Sequence, residues 1–435
     1  MKFTERAVRI GLILMVGISF YLTYLIWLSP SNEDVLLENN SDNEVVDNVN
    51  HREMTEVYLP LHVVRLQNDT VRETNTESFV RKMQEQLPKL TTETDHFQKI
   101  EQSEAFAKQT HIQNGVELTY LSDMPLKDYL KIFQLTISKD KHLPNRWTFF
   151  TVQVDFDSSQ LRFINTQTQE IFSMKITAGL SAIEQALQDN HAEWIDMFYN
   201  DNLLPKQYYT NHAIQLKKYS YIASSRPYTI FRDAFFTNPK DIRSSNGTMN
   251  LNLYDGSESM IVQQNEQKIE FSGTIPLTTS FSDYQAGYKY IRGLGTNYGS
   301  MRLFDQRKQT TDYRVFVEGF PIFSQDNEGE ITVQLVKDTE EDEVDVAIHA
   351  NLNTIQVPIP SDETVELPAS YDAVQQLYVN GAKADKLTRI IVGYTWKNLP
   401  NTEVVDLEPN WYVQYEDQWY SFEDLMKQLT ESEEN

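Results

Sequence analysis

Cysteine is missing from all 435 residues, and that absence removes several possibilities at once. No disulfide can brace an exported domain, so its stability must come from buried apolar area. Thiol catalysis and a lipid-modified cysteine anchor are excluded with it. The usual metal and nucleophile motifs are missing too. None of the eight histidines stands at the i, i+4 spacing that sets two imidazoles on one helix face, and neither HExxH nor GxSxG occurs. The single SxxK, Ser138 with Lys141, has no SDN or KTG companion and reads as polar loop. Gly293, Gly295 and Gly299 have the wrong spacing for a dinucleotide loop and read as a helix end followed by a turn. Positive charge is also scarce: 38 Lys and Arg against 63 Asp and Glu leave a net charge of −25. Such a surface repels nucleic acid and other polyanions.

One long hydrophobic run stands out against this background. Residues 10–28, IGLILMVGISFYLTYLIWL, are nineteen consecutive residues without a charge. As a helix they would span roughly 28 Å at about 1.5 Å per residue, close to the ~30 Å hydrocarbon core of a bilayer. Arg6 and Arg9 precede the run, while Tyr21, Tyr24 and Trp27 gather toward its end as membrane-interface anchors. The positive-inside rule makes residues 1–9 cytoplasmic and everything after the run extracytoplasmic. A cleaved signal peptide would need a shorter run and a small-x-small site, but the run closes on LIWLSP. The expectation is therefore a single-pass cell-membrane protein with an uncleaved anchor. Lys2, Arg6 and Arg9 against Glu5 leave +2 before residue 29, so the exterior part carries −27.

Residues 29–56 hold eight acidic residues and no Phe, Trp or Tyr, which reads as an acidic stalk. Beyond it, 40% hydrophobic and 12% aromatic composition can support real cores. Strand and helix patterns alternate, and three α+β domains of antiparallel sheets with packed helices are expected at 57–222, 223–328 and 329–430. Thr74 and Glu77 suggest the cap of a helix carrying Phe79, Met83 and Leu87. Leu180, Ile183, Leu187, Trp194 and Phe198 suggest one long helical stripe. Strands are expected at 147–156, 170–177, 228–231, 249–254, 331–336, 344–350 and 387–396. A helix is expected from Ser282 to about Arg292, ending at Gly293. Trp411, Val413 and Tyr415 should share one strand face, with Trp419 near them across a turn at Glu416 and Asp417.

Chemistry is sparse in this stretch. Asp155 with Asp157, and the acidic tip at 338–345, are the carboxylate groupings worth weighing for hydrolysis or calcium. Strand termination in water and a charged hairpin tip explain them more simply. No catalytic, cofactor-binding or metal constellation emerges.

The pattern is nevertheless recognisable. The anchor ending in LTYLIW, the strand VYLPLHVV at 57–64, MPLKDY at 124–129, FFTNPKDIRSS at 235–245, VEGFPIF at 317–323, and EPNWYVQY at 408–415 followed by Trp419 and Tyr420 recur in the same order as in the YycH (WalH) family, which the chain resembles over nearly its whole length. The resemblance implies an accessory regulator of the WalK–WalR (YycG–YycF) cell-wall two-component system. It implies a sensor histidine kinase and a YycI-like membrane protein as partners, a three-domain ectodomain, no enzymatic activity and no cofactor. Within the anchor, Gly11, Met15, Ser19 and Thr23 recur every four residues and form a candidate transmembrane interaction stripe. Two rival readings stand beside this one: an extracytoplasmic ligand-binding sensor module, and an anchored cell-wall hydrolase.

Overall fold

A computed structural model of the chain describes residues 15–17, 19–21, 23 and 51 onward, apart from 138–145, 189–190, 201–202, 205–206, 247–249, 279–280, 338–341 and 434–435. The chain divides into two units, Met1–Val49 and Asn50–Asn435. In the first, the described residues are helical and exposed. Gly11, Arg6, Arg9, Tyr24 and Trp27 lie outside the described residues, as does most of the acidic stretch at 29–56. Among the described residues no helix is long and apolar enough to cross a membrane.

The second unit is a sheet-rich α+β fold. Its first sheet contains β1 (His62–Gln67), β2 (Thr70–Thr74), β3 (Thr91–Lys99), β4 (Asn114–Pro125), β5 (Thr148–Asp155), β6 (Gln160–Asn165), β7 (Glu170–Ala178), β8 (Ile195–Tyr199) and β9 (Tyr208–Tyr209). Their spatial order is 3-7-6-5-4-1-2-8-9. The strands that follow are β10 (Ile214–Lys217), β11 (Tyr219–Ser225), β12 (Arg243–Asn246), β13 (Asn250–Asp255), β14 (Glu258–Gln263), β15 (Lys268–Pro276), β16 (Met301–Arg307) and β17 (Thr310–Val317). The series continues with β18 (Phe320–Phe323), β19 (Glu330–Lys337), β20 (Glu343–Asn351), β21 (Asn353–Ile359), β22 (Thr364–Leu367), β23 (Leu387–Asn398), β24 (Val404–Tyr415) and β25 (Gln418–Ser421). β10 and β22 form a separate ribbon, and the rest build a second sheet in the order 12-13-14-15-20-19-17-18-23-24-11-21, with β16 on β17 and β25 on β24. This sheet takes strands from both sides of residue 328. Among the described residues pairing is antiparallel except between β18 and β23.

Helices cover the apolar faces because their buried positions recur at three and four residues. Phe79, Val80 and Met83 of Glu77–Gln84, and Leu126, Tyr129 and Ile132 of Leu126–Ile132, share a core with Leu118, Val152, Phe163 and Phe172 of the first sheet. Helices Tyr228–Phe235 and Asp283–Gly293 pack on Met260, Val262 and Phe271 of the second. At the far end, Ser370–Val379 and Phe422–Glu433 bury Val374, Leu377, Leu425 and Leu429 against Leu387, Ile390, Trp411 and Val413.

Several local expectations need correction. The stripe from Leu180 breaks: the helix stops at Ala186, and the segment carrying Phe198 becomes β8, paired to β2. Strand pairing there satisfies backbone groups that a solvent-facing helix end would leave to water. Residues 228–231 open a helix, since Pro227 supplies an extended N-cap and Phe231, Ala234 and Phe235 bury one face. Thr76, not Thr74, is the N-cap of Glu77–Gln84, while the Thr74 hydroxyl accepts from the Thr76 N–H. Helix Asp283–Gly293 agrees with expectation, capped by the Ser282 hydroxyl, which accepts from the Gln285 N–H. The β24–β25 hairpin also forms, with Glu416 and Asp417 both left-handed at φ 51° and 60°. Trp419, however, opposes Gln414, so it lies on the other face from Trp411, Val413 and Tyr415.

What joins the two sheets decides where a cleft can lie. The Tyr58 hydroxyl donates to the Tyr284 carbonyl at 2.5 Å and sits 2.9 Å from the Tyr313 hydroxyl. In return, the Tyr284 hydroxyl donates to the Asp123 carbonyl at 2.8 Å. Arg302 of β16 is completely buried, donates to the Pro60 carbonyl at 2.7 Å and stands 4.3 Å over the Phe316 ring. Leu61, just before β1, and Leu121 of β4 pack with Phe304, Phe316, Phe323, Ile391 and Tyr412 from the second sheet.

The β17–β18 turn closes the same junction. Gly319 has φ +85°, and a Cβ there would lie 1.7 Å from the Asn75 carbonyl oxygen. Gly256 has φ +55° with nothing within 4 Å of the same position. Gly256→Ala should therefore cost only the left-handed penalty of about 1–2 kcal/mol. Gly319→Ala adds a backbone clash and should cost about 3 kcal/mol or more in urea unfolding. Equal losses in the two variants would show that the turn does not brace the sheets.

Candidate functional site

A cleft of about 1000 Å³ opens between the two sheets, beside the junction. Its walls come from β1, β2, β4 and β5 on one side and from the β16–β17 and β24–β25 hairpins with β23 on the other. That volume is at the upper end for small-molecule pockets. A smaller cavity of about 30 Å³ adjoins it and shares His62, Glu73, Gln207 and Tyr208.

Buried polar groups line the cleft, and most have partners. Glu117, facing inward from β4, accepts from the Gln153 amide at 2.7 Å and from the Tyr208 hydroxyl at 3.0 Å. Burial, and then the neighbouring Glu117, push the Tyr208 phenol well above its ordinary range. Asp305 Oδ2 accepts from the Trp419 indole at 3.1 Å and the Gln414 amide at 3.4 Å, and lies 3.5 Å from Arg307. Burial raises the Asp123 carboxyl.

His62 and Glu73 meet across β1 and β2, with Nδ1 3.3 Å from Oε1. The distance suits an ion pair, but the environment does not. Desolvation lifts Glu73 to about 8 and, with Arg389 nearby, drops His62 to about 3. Burial thus favours the uncharged form of both groups near neutral pH, so the contact is not a full ion pair.

Arg389 enters the cleft through an irregularity in β23. Leu387 opposes Tyr415 and Arg389 opposes Gln414, which leaves Thr388 as an extra, bulged residue. Leu387 and Ile390 therefore both reach the core beneath, while Arg389 stands on the cleft side, 5.3 Å from the Phe150 ring centre. A bulge beside a cleft commonly re-aims a side chain in this way. Burial lowers the Arg389 pKa, and Asp305 partly restores it.

The residues singled out from the sequence lie elsewhere. Met15, Ser19 and Thr23 are exposed helical residues, and the Thr23 hydroxyl donates to the Ser19 carbonyl at 2.8 Å. Asp155 accepts from the Asp157 and Ser158 N–H groups and from Arg162 at 2.7 Å, while Asp157 accepts from the Asn114 amide. The two acids thus cap a turn and do not share a substrate-facing site. The tip at 338–341 lies outside the described residues, and among the described residues no group of three or more His, Cys, Asp or Glu could hold a metal. The cleft itself was missed. The available signal was Arg389 directly before the run IIVGY at 390–394, together with His62 and Glu73 in a strand pair.

Two family models match the chain in tandem. Residues 5–192 match the one described as YycH protein, N-terminal domain, and residues 205–428 the one described as YycH protein, C-terminal domain. The chain belongs to the YycH family. The fold agrees with the crystal structure of YycH from Bacillus subtilis, at a TM-score of 0.66 over 86% of this chain and 97% of that one, with 15% identity. Such identity shows a common fold. No curated protein sequence matches the chain. The boundary between the two YycH models, 192 to 205, falls between the main body of the first sheet and β9.

The His62–Glu73 pair sets a pH signature. Glu73 is raised from 4.5, so its contribution is fully present below about 4.5 and is lost as pH rises through about 8. His62 is depressed from 6.5, so its contribution is present above 6.5 and is lost as pH falls toward 3. The pair therefore favours the fold most between pH 4.5 and 6.5. Going from pH 5.5 to 8.5, wild type should lose stability relative to Glu73→Gln on the order of 2–4 kcal/mol, read by urea unfolding. Parallel pH dependence in both proteins would contradict a protonated Glu73.

Proposed function

We propose that this protein is a membrane-anchored, extracytoplasmic regulator of a WalK-type (YycG) sensor histidine kinase, working in a complex with a YycI-like partner. The observation that carries the reading is the tandem match to both YycH models, over residues 5–192 and 205–428. The apolar run at 10–28 supports the location, with residues 1–9 cytoplasmic and the folded unit outside. The role is non-enzymatic. Asp155 and Asp157, the best carboxylate pair, are engaged by a turn, an arginine and an asparagine.

A regulator of this kind needs only different affinities for two kinase states. A preference of about 1.4 kcal/mol shifts the balance tenfold. In the bilayer the stripe of Gly11, Met15, Ser19 and Thr23 would meet the kinase or YycI-like helices, where small and hydroxylated residues allow close approach. The internal Thr23–Ser19 bond is compatible with this, since a carbonyl and a hydroxyl each keep further hydrogen-bonding capacity.

The test is co-purification from detergent of the tagged full-length chain and of an anchor fragment, residues 1–28, each probed for the kinase. Retention by the fragment places recognition in the membrane helix, and retention by the full chain alone places it in the exterior unit. If neither retains the kinase, the regulatory reading fails. Replacing Gly11, Ser19 and Thr23 together by Leu should abolish retention by the fragment, and undiminished retention would eliminate the stripe.

A further inference from the structure

We infer that the cleft between the two sheets is a binding site for a small polar ligand bearing a carboxylate or phosphate group, which Arg389 receives. This goes beyond the regulatory reading and does not depend on it.

The first support is the state of the Arg389 guanidinium. Six acids line the cleft, and two of them are already engaged, Glu117 by Gln153 and Tyr208, and Asp305 by Trp419, Gln414 and Arg307. Arg307, the other arginine of the cleft, is held by Asp305 and donates to the Asp417 carbonyl at 2.6 Å. Arg389 differs. Among the described residues its guanidinium has no hydrogen-bond or ion-pair partner; it stands 5.3 Å from the Phe150 ring centre and interacts electrostatically with Asp305 and His62. Its five N–H donors in a fixed fork then face the cleft, where Asp305, the carboxylate that acts on it, is already engaged by Trp419, Gln414 and Arg307. An oxyanion placed in the fork supplies a bidentate, charge-assisted partner in place of water.

The second support is construction. The Thr388 bulge is what turns Arg389 toward the cleft while Leu387 and Ile390 stay in the core. Against it, on the first sheet, Thr119 and Thr151 stand opposite each other across β4 and β5 and both line the cleft, as does Gln167. Hydroxyls and an amide suit a ligand whose body is itself polar. The volume, about 1000 Å³, is far more than one anion fills. The chain's charge of −25 opposes anions at a distance, so affinity must come from contact at the fork and not from steering.

The experiment uses the full-length chain in detergent, titrated with succinate and, separately, with inorganic phosphate, each against sodium chloride at equal ionic strength. Thermal unfolding and titration calorimetry are the readouts. Wild type should show a saturable rise in Tm with at least one of the two anions. Succinate alone identifies a carboxylate ligand, and phosphate alone a phosphate ligand. Arg389→Gln should abolish the rise, while Arg243→Gln, on β12 and outside the cleft lining, should keep it. If Arg389→Gln does not fold, Arg389→Lys carries the test: losing the fork should raise the dissociation constant at least about tenfold. Absence of any rise above chloride in wild type, or an undiminished rise in the Arg389 variants, overturns the proposal.

Discussion

Everything in the folded unit Asn50–Asn435 depends on how one sheet is held against the other, and a buried arginine is central to that contact. Arg302 reaches from β16 to the carbonyls just before β1, over the face of Phe316. Its Nε and Nη1 have no hydrogen-bond partner among the described residues, and desolvation lowers its pKa to about 10. It therefore stays charged at neutral pH in a costly place. The negative field of Glu77 and the aromatic face offset part of that cost. The Tyr58, Tyr284 and Tyr313 hydroxyls lock the adjoining backbone, so the sheets cannot slide without exposing several buried polar groups.

A rigid junction on one side leaves an open cleft on the other. The same β16–β17 hairpin that carries Arg302 also supplies Asp305 and Arg307 to the cleft wall. Arg314 of that hairpin stands over both the Phe304 and Phe323 rings and is paired with Asp312 and Glu330, which stiffens the hairpin from beneath. A ligand bridging Arg389 and the first sheet would thus pull on the elements that fix the relation of the two sheets.

Local order was largely legible in the sequence. Ser282 and Gly293 bracketed a helix because a hydroxyl cap and a glycine near the end are short-range devices. The alternation in residues 331–336 and 344–350 gave paired strands because one face is buried and the other wet. Errors arose where local patterns were ambiguous. The run from Leu180 to Phe198 has helical spacing, yet its second half went to the open edge of β2. Trp419 was assigned a face by proximity, whereas the two-residue turn fixed its register to Gln414.

By itself the sequence determined the apolar run, the acidic balance, the lack of thiol chemistry, and the family, since composition and motif order need no folding to be read. Tertiary structure alone decided the cleft. Its residues are drawn from strands as distant as β1 and β25, and a single bulged threonine sets which way Arg389 points. Such a choice is made by sheet pairing between remote segments, and no window of neighbouring residues contains it.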